Sequence, residues 1–539
     1  MHVMAYAPWG AEGVIIRVEA DIRRGIPGVD ITGLAEGAVR EARERVRAAF
    51  RNSGYTFPPD RILINLAPAG VKKEGASLDL PIALSVMSAA GLAPSAENLM
   101  VLGELELSGK LRPVRGVLAA TAAGLKAGIK DFIVPEENAA EAAILAAGHV
   151  CPVSTLAEAV HALIVREETG ALPAKNIPSA GISRNFYIGD FAEVRGQGRY
   201  KRALEIAAAG GHNLLAFGPP GAGKTMLARR LPSIMAPLET GEAVEVTRLH
   251  SLAGETLGGQ AFGGGLITRP PFRSPHHSAS AEGILGGGKS VRPGEISLAH
   301  FGVLFLDEAP EFRSNVLQSL REPLEDRVIT ISRAEGPVRL PADFQLLLAA
   351  NPCPCGRLGK PTGEEDPARE GNPPRDHQQS AVLSPGCFCA PQEIYRYWRK
   401  FGGALLDRVE LRAAVPAPSI RLMEQGREES SADIARRVFT AVAIQRDRFK
   451  KTGLRRNARI PAGKIETLCP LTEGAQKALR QASEKLGLSG RAYHGILRTG
   501  RTIADLEGKD IIEAVHILEA VQHRRLGEDP YDIFSVDVD

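Results

Sequence analysis

The apolar run LLAF at 214–217 opens directly into Gly218, Pro219, Pro220, Gly221, Ala222, Gly223, Lys224 and Thr225, and a helical pattern begins at Met226. No other stretch restricts the fold as tightly. The pattern G-x-x-x-x-G-K-S/T between a strand and a helix suits phosphate binding. Its glycines let successive backbone N–H groups converge, and the helix N-terminus adds partial positive charge. Such a loop requires an α/β layer with the strand buried beneath it. Lys224 is expected to reach the β- and γ-phosphates of ATP and Thr225 to ligate Mg2+, with the residues from Gly218 to Met226 forming the nucleotide contact. A ligand-free glycine turn is the bland alternative.

Two further apolar strands end in polar residues. FGVLFLDEAPEF (301–312) ends in Asp307 and Glu308, expected to hold Mg2+ and to polarise the attacking water. FQLLLAAN (344–351) ends in Asn351, expected to help place that water. A surface acidic loop and a turn-forming Asn before Pro are the competing readings.

With 539 residues, the chain has room for three or four domains. Residues 1–168 alternate strand-like and helical patterns, and 169–186 are a Pro/Gly/Ala/Ser linker. A second α/β block covers 187–420, a helical part 421–527, and an acidic tail 528–539. The longest apolar runs fall far short of the ~20 residues of a membrane span. No secretory signal is evident at the N-terminus, so a cytoplasmic protein without membrane partners is expected. A net charge of +3 argues neither for nor against nucleic acid.

The order GPPGAGKT, GVLFLDE, AANPCPCG and LLDRVEL resembles the magnesium-chelatase-like AAA+ ATPases, and more closely the YifB/ComM family. GVDITGLAEGAVREARERVRAAF, INLAPAGVKKEGASLDLPIAL, FRSPHHSAS and RAYHGILRTGRTIADLEG extend the resemblance over nearly the whole chain. It implies a Lon-protease-like α/β N-terminal domain, a P-loop AAA+ α/β core with an inserted β-hairpin, and an all-α C-terminal lid. It also implies that Arg408 is a finger reaching a neighbouring subunit's site and that Arg491 is the lid arginine at the γ-phosphate. A plain surface ion pair for Arg408, and Arg498 or Arg501 in the lid role, stay open. A finger in trans implies a homo-oligomeric ring, a hexamer as in relatives. In the Lon-like part Ser77 occupies the nucleophile position, but Leu118 stands where the catalytic lysine belongs, and Lys110 and Lys126 are out of register. Since a serine of this type needs a lysine to take its proton, the domain is expected to be non-proteolytic, used for assembly or DNA contact.

Residues 324–344 read as a hairpin in which Arg327, Arg333 and Arg339 recur at even spacing on one face, a lining for a phosphate backbone. A solvated hairpin face is the alternative. A glycine-bounded stretch, 263–288, carries Arg269, Arg273, His276 and His277 and reads as a mobile gripping loop. The basic stretch 446–457 reads equally as a polyanion contact or a solvated helix end.

Four of the six cysteines form two C-x-C pairs, Cys353/Cys355 and Cys387/Cys389, around loop 356–386. Four thiolates suit tetrahedral Zn2+; free thiols or a reversible disulfide are the alternatives. The expected activity is an ATP-driven ring motor working on DNA by branch migration or helicase action in recombination or natural transformation. The alternative is a chelatase-type remodelling ATPase acting on a protein or metal-insertion partner.

Overall fold

The computed structural model describes all residues except 1, 34–36, 72, 74, 174, 176, 178–188, 256–264, 289–290, 334–335, 359–386, 418–427 and 526–539. Most of the expected linker, nearly all of loop 356–386 and the tail therefore lie outside the described residues.

The N-terminal part is built on a seven-stranded mixed sheet. Its strands run in the order Gly28–Thr32, Arg61–Ala67, Val14–Arg23, His2–Ala7, Leu99–Val101, Asp131–Pro135, Val150–Val153. In RILINLA (61–67) Ile62, Ile64 and Leu66 turn inward while Arg61 and Leu63 face water, the alternation of a half-covered sheet. The helix Gly37–Asn52 buries Val39, Ala42, Val46, Ala49 and Phe50, an i, i+3, i+4 stripe. The helix Asp79–Ala89 is mostly apolar and buried from Asp79 to Ser88. Asp79, inside it, is balanced by two hydrogen bonds from Arg45 at 2.7 and 2.9 Å.

The central sheet has five strands, all parallel, in the order Phe272–Arg273, Val303–Leu306, Gln345–Ala350, Leu214–Phe217, Leu411–Ala414. LLAF, VLFL and QLLLAA are continuous apolar runs because both faces of this sheet are covered. The strand entering the phosphate loop is flanked by the strand ending before Asn351 and by Leu411–Ala414. All the polar strand ends therefore emerge along one edge.

The C-terminal helices Ser431–Phe449, Glu473–Leu486, Gly490–Leu506 and Ala514–Arg525 pack with helix Gly198–Gly210 into the same apolar core as the sheet's other face. Ser430, Thr472 and Ser489 cap three of them, accepting N–H bonds from Asp433, Ala475 and Ala492. Among the described residues no helix is long and apolar enough to cross a membrane.

The N-terminal part is joined to the central one by buried contacts. Gly116 N–H donates to the Ser251 carbonyl (3.2 Å), and the Ser251 hydroxyl donates to Glu141, which also accepts the Leu118 N–H. The turn at Gly10 lies against Val338 of the hairpin so closely that a Cβ would stand 2.5 Å from its Cγ1.

Candidate active site

Gly218 ends the phosphate-loop strand, donating to the Ala350 carbonyl; a Cβ there would come within 2.0 Å of the Val415 carbonyl oxygen. Gly221 and Gly223 take φ of +80° and +90°, where a side chain is strained. The helix beginning at Lys224 follows immediately. Lys224 Nζ is buried and donates to the carbonyls of Gly218 (2.6 Å) and Pro219 (2.9 Å) and to Asn351 Oδ1 (3.2 Å). Burial pushes its ammonium down to about 8, against the attraction of Asp307 and Glu308. Thr225 Oγ1 donates to Asp307 Oδ2 at 2.8 Å. Glu308, exposed and at φ +49°, donates its N–H to Asp307 Oδ1. Six residues expected at one site from three distant segments are thus brought together: Gly218, Lys224, Thr225, Asp307, Glu308 and Asn351. The adjacent Thr225 and Asp307 oxygens suit a hard, oxygen-seeking ion such as Mg2+.

Residues 190–377 match the family described as magnesium chelatase, subunit ChlI; 18–138 match subunit ChlI of Mg-chelatase, and 428–524 the ChlI C-terminal family. YifB of Salmonella typhimurium is 40% identical over 530 residues, 96% of each chain. The competence protein ComM of Haemophilus influenzae is 38% identical over 531 residues, 97% of each. The chain belongs to the YifB/ComM family of magnesium-chelatase-like AAA+ proteins. A partial similarity links it to the Lon protease of Geobacter metallireducens, 27% identical over 142 residues, which is 25% of this chain and 17% of that one.

Arg408 and Arg491 lie elsewhere. Both pair with Glu325 and line a cavity of about 410 Å3 with Arg327, Arg459, Arg498 and Arg524. This cavity is at the opposite edge of the central sheet: Asn213, just before the phosphate-loop strand, donates to the Arg408 carbonyl and accepts from Leu346 N–H. Asn213 and Gly218 are about 16 Å apart at roughly 3.3 Å per strand residue. Neither arginine belongs to the cluster around this chain's own Lys224. Arg501, an alternative for the lid role, is wholly buried, bonded to Asp505 and to the carbonyls of Lys509 and Asp510. Arg498 lines the cavity and donates to Ile460 O. Sequence reasoning missed Glu325, whose partners are remote in sequence.

Several expected DNA contacts are rearranged. The hairpin is present, Val328–Ile331 against Val338–Pro341, but Arg327 precedes it at φ +59° and turns toward the Arg459 carbonyl. The three arginines do not share a face: Arg339 is exposed opposite Thr330, and Arg333 sits at the tip with a hydrogen bond to Gly288 O. Arg273 is not in a mobile loop. It lies in the sheet's edge strand, held by Glu295 (2.7 and 2.9 Å) and Glu255 (3.0 Å). Arg269 is exposed. His277 meets Phe312 edge-on, and His276 bonds Ser278. In 446–457, Arg446, Arg448 and Arg455 pair with Glu239, Asp505 and Glu242, so much of that basic stretch is internally neutralised.

In the N-terminal part, Leu118 is fully buried, Lys73 donates to the carbonyls of Gly33 and Pro68, and Lys126 pairs with Glu12.

The four Sγ atoms of Cys353, Cys355, Cys387 and Cys389 lie within 4.8 Å of one another. Three separations are 3.3, 3.8 and 3.7 Å. A tetrahedral ion with ~2.3 Å metal–sulfur bonds sets sulfurs about 3.8 Å apart, so the donor set suits Zn2+ once the Cys353–Cys355 pair, at 3.3 Å, opens slightly. Burial raises the Cys353 thiol. At exposed Cys355 it works the same way but is outweighed by N–H bonds from Arg357 and Phe388, which lower that thiol.

Proposed function

We propose that this chain is an ATPase that works as a ring, six subunits as the family resemblance implies, and couples hydrolysis to movement of DNA strands. Lys224 and the loop N–H groups bind the phosphates. Thr225 and Asp307 hold Mg2+, which supplies charge neutralisation at the β- and γ-oxygens. Glu308 orients and polarises the attacking water, and Asn351 holds it in line. Arg408 and Arg491 of an adjoining copy stabilise the charge that builds up on the γ-phosphoryl group. The Lon-like domain is assigned to 1–168, the AAA+ core to 187–420 and the helical lid to 421–527, with Ser77 non-catalytic and the protein working in the cytoplasm. Cys353, Cys355, Cys387 and Cys389 are assigned to Zn2+.

One observation carries the ring. Arg408 and Arg491 face away from the chain's own phosphate loop, so that site lacks its arginines until a second copy supplies them. DNA as the substrate is supported by exposed Arg333 and Arg339 on the inserted hairpin and by the relative named a competence protein. The test is ATPase rate and strand displacement with and without forked DNA, with Lys224→Ala as control. DNA-stimulated hydrolysis and unwinding are expected; hydrolysis indifferent to DNA, without unwinding, would overturn the DNA reading. In that case the matches to magnesium chelatase subunits favour remodelling of a protein partner.

A further inference from the structure

The cysteine cluster and the nucleotide site share a short turn. Cys353 lies two residues after Asn351, whose Oδ1 receives the Lys224 ammonium at 3.2 Å. Gly356, following Cys355, has φ +72° and leans on the phosphate loop; a Cβ there would stand 2.8 Å from Pro220 Cδ. There is no slack at that contact.

The second cysteine pair leads into helix Pro391–Arg399, which holds the same turn from behind. Trp398 Nε1 donates to the Pro352 carbonyl at 3.0 Å. Its ring meets Phe217, the last residue of the phosphate-loop strand, edge-on at 5.8 Å. The Tyr397 hydroxyl takes a hydrogen bond from the Asn351 backbone. Across the cluster itself, segments 351–358 and 387–389 meet through sulfur contacts of 3.7–3.8 Å, an N–H bond from Phe388 to the Cys355 sulfur and the Arg357 guanidinium over the Phe388 ring at 5.8 Å; thiols are weak hydrogen-bonding partners. An ion bonded to all four would make that junction rigid.

We propose that the four-thiolate site is a positioning element for the ATP site: a soft divalent ion, Zn2+, locks segment 351–358 to segment 387–389 and so fixes Asn351 and Pro220 around the phosphates. The inference rests on the ATPase reading and extends it. Affinity comes mainly from the loop N–H groups and Lys224, which are anchored by the strand and helix. Hydrolysis depends on the placement of Asn351, where a shift of about 1 Å costs as much as 100-fold. Metal occupancy is therefore read in turnover more than in binding.

The test uses the full chain with Trp9→Phe, leaving Trp398 as the single remaining indole of two. Zinc is stripped with a thiol-directed mercurial and thiol exchange, and Mg2+ is restored. Bound zinc, Trp398 emission, affinity for a fluorescent ATP analogue and kcat are then measured before and after Zn2+ is returned. The expected result is about one Zn2+ per chain. Stripping is expected to shift the emission and lower kcat by about tenfold or more, with affinity changed by less than about threefold, all reversed by Zn2+. Cys355→Ser/Cys389→Ser should match the stripped protein; if that variant fails to fold, the stripped and reloaded wild-type chain still decides. Equal kcat and emission with and without zinc would overturn the proposal, as would full activity at under about 0.2 Zn2+ per chain. If neither form hydrolyses ATP, the ATPase reading fails by itself. An unchanged emission would then count against the coupling, and an emission shift reversed by Zn2+ for it.

Discussion

The guanidinium groups of Arg408 and Arg491 converge on one carboxylate, Glu325, across sequence separations of 83 and 166 residues. Two like charges are held side by side by a carboxylate whose side chain is 50% exposed. The Arg491–Glu325 pair is partly exposed and worth on the order of 0–1 kcal/mol, so a doubly charged γ-phosphate arriving from another subunit can displace it. In the proposed ring, the two guanidinium groups lining this cavity would serve as an anion receptor for an adjoining subunit.

Subunit mixing tests this directly. Arg408→Ala should lower the ATPase rate by on the order of 10³-fold while binding of a fluorescent nucleotide survives. Lys224→Ala should abolish binding. Mixed in equal amounts, the two should recover activity, because rings then contain intact loops facing intact arginines. No recovery above the sum of the separate variants would place the arginines in cis.

Asn351 should act on turnover. Its Oδ1 accepts from Lys224 and no carboxylate replaces it there. Asn351→Ala is expected to lower kcat by about 10- to 100-fold, with nucleotide affinity nearly unchanged. An equal loss in both would make Asn351 a binding residue and sink the assignment.

Lys224 carries a pH signature. In the nucleotide-free site burial lowers its ammonium to about 8, whereas an unfolded lysine titrates near ~10.4. Between these values the unfolded chain binds more protons than the folded one, so this group makes stability rise with pH across that window. A bound triphosphate favours the charged form, and ATP binding near pH 8.5 should therefore take up part of a proton. Calorimetry in buffers of different ionisation enthalpy reads this uptake. Identical heats in all buffers for the wild-type chain would refute it.

The site was legible wherever geometry is written locally. The phosphate loop needs glycine at Gly221 and Gly223 because of their backbone conformation, and Asp307 and Asn351 follow continuous apolar runs of the length and composition of buried parallel strands. The arginines were less legible. Regular spacing suggested one face for Arg327, Arg333 and Arg339, but a helix end at Arg327 and a turn before Arg339 break the period. Arg273 read as loop because its strand is two residues long and defined only by pairing with Val303 and Leu304. Glu325 carries no local signal at all; its two partners come together only when the C-terminal helix Gly490–Leu506 packs onto the central part.

Asp505 anchors that lid. It is buried and accepts from Arg448 (2.6 and 2.8 Å), Arg501 (3.1 Å) and Asn457 (2.7 Å). Asp505→Ala leaves the wholly buried Arg501 without its counter-charge and should destabilise the lid by about 3–5 kcal/mol. Denaturant unfolding measures this, and a loss under about 1 kcal/mol would mean that the carbonyls of Lys509 and Asp510 suffice.

Three arginines expected to contact DNA now separate by structure. Arg339 is exposed across from Thr330, and Arg333 gives, among the described residues, one hydrogen bond, to a backbone carbonyl. Arg273 is enclosed by two glutamates and stitches the sheet edge to Glu255 and Glu295. A phosphate contact should weaken DNA binding uniformly across sequences and lower the salt slope by about one per residue. Arg333→Ala and Arg339→Ala should each do so without changing the DNA-free ATPase rate. Arg273→Ala should instead strip Glu295 of its bidentate partner, leave Glu255 with His250 alone and lower the unfolding temperature, with the salt slope of DNA binding unaltered. Titrations at several salt concentrations separate the two behaviours. A salt slope indifferent to Arg333 and Arg339 would remove the hairpin from the DNA path.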